Sequence, residues 1–316
     1  MRRVNGQVFF KTPNVFSPQS VKYFLDEVVP LFNMEGKAMP NVVFDADGLT
    51  DAGLLGQLLI YKFMEYSMKK HCFLNPSFHI KENIFNEFRK TGFQKLVLAF
   101  AKNKKAEYQN LKYEEEAGLF IAPINLASLD DGDAQELYAP KIRDYYNDLK
   151  VSFIAILCMS EIASNFSAHA QDDTNSILVA RGNQDFFEIA CADNGKGIVS
   201  TLRPSLGSNR YTPFEVLEQA MQRGVTSKRG TDHMGYGLWL VNEMVKALRG
   251  EMYVFSDKAY YINRQGKTKR GESSYWRGTI IYVRLSLTNR GYVDGIYTRM
   301  KQRYNRIKIQ RYNEGN

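Results

Sequence analysis

The chain is poor in everything a covalently braced or membrane-spanning protein needs. Its 316 residues include 3 cysteines, Cys72, Cys158 and Cys191, widely spaced and without a CxxC pair. A disulfide framework and a zinc site are therefore not expected, and a reducing cytoplasm is the expected compartment. Uncharged runs such as Val151 to Ser160 fall short of the roughly 18 apolar residues of a membrane span. Met1-Arg-Arg-Val-Asn-Gly has no apolar core of a secretory leader. There is no GxxxxGK[ST] P-loop, no GxGxxG after the first strand, no internal repeat and no low-complexity run. Acid is scarce in one place. From Thr201 to Asn316 there are 21 Lys and Arg against 9 Asp and Glu, a net of +12 in a chain of formal charge +8, which leaves the first two hundred residues at −4. An anionic partner for the C-terminal half follows, and ATP alone accounts for part of that charge.

What is present reads as an α/β protein of about two domains. Gln7–Lys11 is strand-like. Ser17 then caps a helix that has Pro18 at its first position and Val21, Phe24, Leu25, Val28 and Val29 at helical spacing. Asn41–Asp45 reads as a strand, Leu54–Met68 as a helix, Cys72–Leu74 as a strand, Ser77–Arg89 as a helix and Lys95–Ala101 as a last strand. This alternation predicts a parallel or mixed sheet covered by helices. Lys102–Lys112 is polar and marks a boundary, and the second domain begins within Lys105–Asp133. Leu119–Pro123 is strand-like and Ala134–Leu149 helical. The expected division is residues 1–104, a connecting segment 105–133, a domain over 134–290, and a basic tail over 291–316.

The chemistry is concentrated in the second half. Phe153–Ala170 is helical in pattern, so Glu161 and Asn165 project from one face. A carboxylate and a neutral amide placed so suit a hydrated Mg²⁺, with Asn165 as the metal ligand while Glu161 takes a proton from the attacking nucleophile. Phe186–Ala192 is a strand that delivers Asp193 at its end, where a carboxylate can accept a hydrogen bond from an exocyclic amine such as adenine N6. Gly195 and Gly197 after it permit a turn and the close approach of a flat base. Gly224–Gly237 is loop-like, and the helix over Leu238–Leu248 presents backbone amides suited to phosphate, with Lys228 and Arg229 in reach of a terminal phosphate. Gly278-Thr279 precedes an apolar alternating run.

Two family resemblances follow from these residues. Val42-Val-Phe-Asp-Ala-Asp-Gly-Leu49, Asp51–Leu59, Leu74-Asn-Pro-Ser77 and Thr91-Gly-Phe93 resemble the STAS domain over about Val4–Phe100. The family's phosphorylated serine would fall at Ala52 or Gly53, and no Ser or Thr lies between Asp51 and Tyr66, so a phosphoswitch there is not expected. Ser160–Ala170, Asp193–Gly197, Gly235–Val241 and Gly278-Thr279 resemble, in order and spacing, the N, G1 and G2 boxes and closing GT strand of the GHKL superfamily of ATPases and kinases. That resemblance covers about Ala134–Leu287. It implies a Bergerat-type α/β sandwich, a mixed sheet with helices on one face, and ATP under a mobile lid. It also implies Asn165 as the Mg²⁺ ligand, Glu161 as base, Asp193 as the adenine reader, Gly195, Gly197, Gly235 and Gly237 as shapers of the pocket, and Thr279 as a support of the adenine end.

The N box is closest to anti-sigma-factor serine kinases; Ala168 stands where histidine kinases often carry Lys, and His169 reads as a packing residue. A sensor histidine kinase would need a phosphoacceptor hairpin, and a gyrase-like ATPase a transducer domain after the GT strand; neither is readable. The expected function is that of a regulatory serine/threonine kinase or slow ATPase coupled to the STAS-like domain or a protein partner. A non-catalytic ATP-gated switch is the alternative, and nucleic-acid binding by the tail is a third reading. Arg299, Lys301, Arg303, Arg306, Lys308 and Arg311 there interleave with Tyr297, Tyr304 and Tyr312. Tyr260–Trp276, with Lys267, Lys269 and Arg270 at its tip, reads as a polar hairpin extension.

Overall fold

A computed structural model describes residues 2–5, 7–32, 41–70, 76–102, 107–108, 111–113, 118–129, 131–169, 175–207, 210–227 and 235–314. Its first sheet has four strands in the order β1-β2-β3-β4. β1 (Arg2–Val4) and β2 (Gln7–Lys11) are antiparallel, while β3 (Val42–Ala46) and β4 (Pro76–Ile80) run parallel to β2 and to each other. The mixed sheet is what the strand and helix alternation predicts. A turn over Pro18–Ser20, in which Ser20 Oγ accepts from the Ser17 amide, leads into α1 (Val21–Phe32). α2 (Gly53–Lys69) is buried on every side from Leu54 to Ser67. A helix buried all round needs apolar partners on two faces, and the second partner here is the other sheet.

Two strand and helix assignments are corrected. Ser77–Arg89 is not one helix: Phe78 and Ile80 alternate along β4, whose register pairs Phe44 with Phe78, and α3 (Glu82–Lys90) begins after it. Lys95–Ala101 is not a strand but part of α4 (Phe93–Ala101), which buries Phe93 and Leu96 three residues apart. Short apolar runs fit either period; pairing with β3 decides for β4, and contact with α2 decides for α4. Residues 71–75, which include the Cys72–Leu74 segment, lie outside the described residues.

The second sheet has five strands in the order β5-β6-β7-β9-β8, with β5 (Leu119–Asn125) inside the 105–133 stretch. β6 (Ile177–Gly182), β7 (Phe186–Ala192), β8 (Glu251–Arg264) and β9 (Lys267–Ser286) complete it. Every pairing is antiparallel, which corrects the mixed sheet implied by resemblance. The connections explain this. β6 and β7 are joined by a short turn, and β8 and β9 by the two-residue turn Gln265-Gly266, both at positive φ as a hairpin turn of this hand requires. One face of the sheet carries α5 (Asp131–Tyr146), α6 (Leu149–His169), α7 (Gly197–Leu202), α8 (Pro213–Ala220) and α9 (Gly237–Ala247) around one apolar core. α6 is apolar enough over Leu149–Phe166 to pass for a membrane span by length and composition, and here it packs in that core. α10 (Arg290–Glu314) buries Val293, Ile296 and Met300 in the same core.

The opposite face is not open. Tyr253, Phe255, Tyr260, Trp276, Ile280 and Tyr282 form one apolar cluster with residues of α1 and α2. The order of layers is therefore first sheet, α1 with α2, second sheet, and the helices of the second half. A buried polar cluster accompanies this seam. Lys62 Nζ donates to Glu65 Oε2 at 2.9 Å and to the Asn175 carbonyl at 2.5 Å, with both side chains fully or almost fully buried. Glu65 Oε1 also accepts from Asn175 Nδ2 and Lys69, and Asn125 donates to Asn175 Oδ1 at 2.9 Å. Mutual pairing offsets the cost of burying these charges.

Candidate nucleotide site

β7 ends by placing Asp193 against the neighbouring strand. Its amide donates to the Thr279 carbonyl at 3.0 Å, and its Oδ2 accepts from the Thr279 amide at 3.0 Å. Oδ1 accepts from the Gly195 amide at 2.6 Å. The carboxylate is thus held in one orientation, and the residue is 2 % exposed.

The glycines make this closeness possible. A Cβ on Gly278 (φ +101°) would lie 2.3 Å from the Asp193 carbonyl oxygen, and one on Gly197 (φ +76°) would lie 2.3 Å from the Gly278 oxygen. No side chain fits either gap, and both φ values favour glycine. Thr279 Oγ1 accepts from the Ile198 amide at 3.0 Å, joining the GT strand to the start of α7.

Three residues complete this cluster that sequence reasoning did not single out. Ser256 on β8 donates to the Gly278 carbonyl at 2.8 Å and accepts from the Val199 amide. Arg277 Nε donates to the Asn194 carbonyl at 3.1 Å. Trp276 Nε1 donates to the Asp193 carbonyl at 3.0 Å, and its indole is wholly buried. A tryptophan two positions before Gly278-Thr279 was the one available signal. Ser256 had none, because strand pairing alone brings it there.

Glu161 and Asn165 share a face of α6, and Asn165 Nδ2 donates to the Glu161 carbonyl at 2.5 Å. The amide nitrogen is thereby committed to the helix, and the other amide atom, Oδ1, is an oxygen. Gly237 at the start of α9 abuts this pair: a Cβ there would lie 2.8 Å from Asn165 Nδ2 and 2.9 Å from Glu161 Oε2. Gly235 (φ +69°) is fitted as tightly against the Val225 backbone, and its carbonyl accepts from the Gly224 amide at 3.0 Å. That bond closes the base of the 224–235 loop.

Lys228 and Arg229 lie outside the described residues, as does the side chain of His169. Arg223, at the loop's base, stands over the rings of Tyr236 and Trp239 at 5.3 and 5.6 Å. Among the described residues no three His, Cys, Asp or Glu side chains converge as a metal cluster. Burial pushes the thiols of Cys158 and Cys191 well above their ordinary range, so neither is a thiolate nucleophile.

The structure therefore brings together Asp193, Gly195, Gly197 and Thr279 at the sheet end, and Glu161, Asn165 and Gly237 between α6 and α9. Residues 154–289 match the family model of histidine kinase-, DNA gyrase B- and HSP90-like ATPases. This stretch is similar to GHKL-type ATPase domains, and that similarity supports ATP binding. No curated protein and no solved structure matches the chain.

Within the matched stretch, the residues present fit a magnesium ion. An amide oxygen at Asn165 with a carboxylate one turn away is an oxygen donor set, and Mg²⁺ takes few protein ligands and keeps its waters and phosphates. Asn165 would hold the ion, which supplies charge neutralisation to the phosphates. The tail helix α10 is partly engaged by the same domain. Tyr297 packs edge-on against Phe153, and Arg303 lies over Trp239 at 4.9 Å and near Glu243.

Proposed function

We propose that the protein is a Mg-ATP-dependent regulatory enzyme, a serine/threonine kinase or slow ATPase. Its turnover is coupled to the N-terminal unit, which we read as STAS-like and cytoplasmic. Asp193 reads adenine, Asn165 holds the metal, and Glu161 takes the proton of the attacking hydroxyl or water. Lys228 and Arg229 reach the terminal phosphate.

The observation that carries this reading is the approach of Gly237 to Glu161 and Asn165. It sets a carboxylate and an amide beside the helix N-terminus that receives phosphate, the placement a general base needs. Coupling rests on Trp276, which contacts Phe32 of α1 and donates to the adenine loop. Engagement of Tyr297 and Arg303 within the domain argues against the tail as a nucleic-acid strand binder.

The test compares phosphate release and phosphoprotein formation in the wild type and Glu161→Ala. Glu161→Ala should keep ATP affinity and lose turnover by roughly 10²–10⁴-fold. A wild type that binds ATP without turnover makes the protein a gated switch instead.

A further inference from the structure

Beyond residue 257 the β8–β9 hairpin outgrows the rest of its sheet and faces the start of α1. Between them lies a groove of about 600 Å³. Its ionisable walls are of one sign. Lys22 stands on the α1 side and Arg264, Lys267 and Lys269 on the hairpin side, and no Asp or Glu lines the space. The register explains the convergence: Arg264 pairs with Lys267 and Ile262 with Lys269, so these side chains share a face of the hairpin with Tyr260.

Glu251, on the same face of β8 as Tyr253, binds Arg264 at 3.2 Å and accepts from the Tyr253 hydroxyl at 3.4 Å. Lys22 rests over the Tyr260 ring at 5.0 Å. Lys267 and Lys269 make no ion pair among the described residues. Counting Glu251, the groove keeps a formal surplus of three positive charges. Like charges gathered in a concave, apolar-floored space repel one another, and an anion relieves that repulsion.

We propose that this groove is a binding site for a compact polyphosphate-bearing small molecule, separate from the nucleotide site of the GHKL-like domain. Its volume is that of a small-molecule pocket. The cations meet from facing walls and do not run in file, which suits clustered phosphates better than an extended strand. Tyr253, Phe255 and Tyr260 in its floor are buried by at least nine-tenths, so they offer little ring face for stacked bases. Lys22 belongs to one sheet's helix layer and the other three cations to the second sheet. Occupancy would thus tie the two units together at a point remote from Asp193.

The experiment titrates inorganic tripolyphosphate into the full-length protein by calorimetry, with saturating adenosine, which carries no phosphate, present in the adenine pocket. Wild type should bind. Lys267→Gln/Lys269→Gln should bind roughly tenfold or more weakly, as should Lys22→Gln from the facing wall. ATP affinity measured separately should be unchanged in both. No binding by wild type overturns the site, and so does an unchanged affinity in either variant. A short oligo-dT strand serves as a second probe. If it binds in a Lys267- and Lys269-dependent way while tripolyphosphate does not, a nucleic-acid strand replaces the compact ligand and the proposal fails.

Discussion

Replacing Trp276 by Phe should weaken ATP binding although the indole is buried away from any ligand. The ring contributes twice. Its N–H donates to the Asp193 carbonyl at 3.0 Å, and its plane packs on Phe32 at 5.5 Å, with Phe32 in turn against Tyr66 of α2 at 4.9 Å. Phenylalanine keeps most of the second contact and removes the first. One lost neutral hydrogen bond, with a buried carbonyl left behind, costs about 1–3 kcal/mol. Part of that falls on folding. The part that falls on the orientation of Asp193 should raise the Kd for ATP by roughly tenfold, the equivalent of about 1.4 kcal/mol. Calorimetric titration gives the affinity, and thermal melting of the same sample separates it from global stability. A spectroscopic readout is available, because Trp239 and Trp276 are the 2 tryptophans of the chain. In a Trp239→Phe background the emission reports Trp276 alone, and it should change when ATP is added. Phe32→Ala, which leaves the hydrogen bond but removes its support, should also weaken binding. An affinity in Trp276→Phe equal to wild type, with emission indifferent to ATP, would refute the connection between α1 and the adenine loop.

Gly237→Ala should cut ATP binding and turnover with little change in melting temperature, since its methyl would press on the Glu161 and Asn165 side chains and meet backbone only at 3.6 Å. Asp193→Asn should lose one to two decades of ATP affinity, about 1.5–3 kcal/mol for a charged hydrogen bond. It should also melt earlier, because an amide presents one acceptor oxygen where Gly195 and Thr279 now use two; calorimetry and melting read both. Lys62→Met should cost about 3–5 kcal/mol in urea unfolding by leaving Glu65 undercompensated, and Lys62→Met/Glu65→Leu should recover much of it. At Thr212, which caps α8, the backbone and hydroxyl bonds to Glu215 hold that carboxyl below its ordinary value. A lowered folded pKa means that the cap's contribution is present above the unfolded pKa and fades as pH falls through the folded one. The melting difference between wild type and Thr212→Ala should therefore shrink in acid.

Local chemistry determined much of this protein before any tertiary contact. Asp193-Asn-Gly195-Lys-Gly197, Gly235-Tyr-Gly237 and Gly278-Thr279 mark backbone that must turn sharply or approach closely, and such constraints are carried by residue type. The capped turn that leads into α1, and β7 from Phe186 to Ala192, were legible for the same reason, since period and turn chemistry act over a few residues. The Tyr260–Trp276 hairpin was legible too, but its turn is Gln265-Gly266, and Lys267, Lys269 and Arg270, expected at the tip, lie on β9. Phe78 and Ile80 in β4, and the helix over Phe93–Ala101, were not, because short apolar runs satisfy both periods until a neighbour selects one. The antiparallel order of the second sheet depends on which strand β9 lies beside, a choice made between segments 88 to 100 residues apart. Only the packed structure shows why α2 is apolar on all sides and yet buries Lys62 and Glu65: it lies between two sheets, and its charges meet Asn175 from the far one. The same packing recruits Ser256 and Trp276 to Asp193. Sequence reports what a residue can do, and long-range burial decides which partner it does it with.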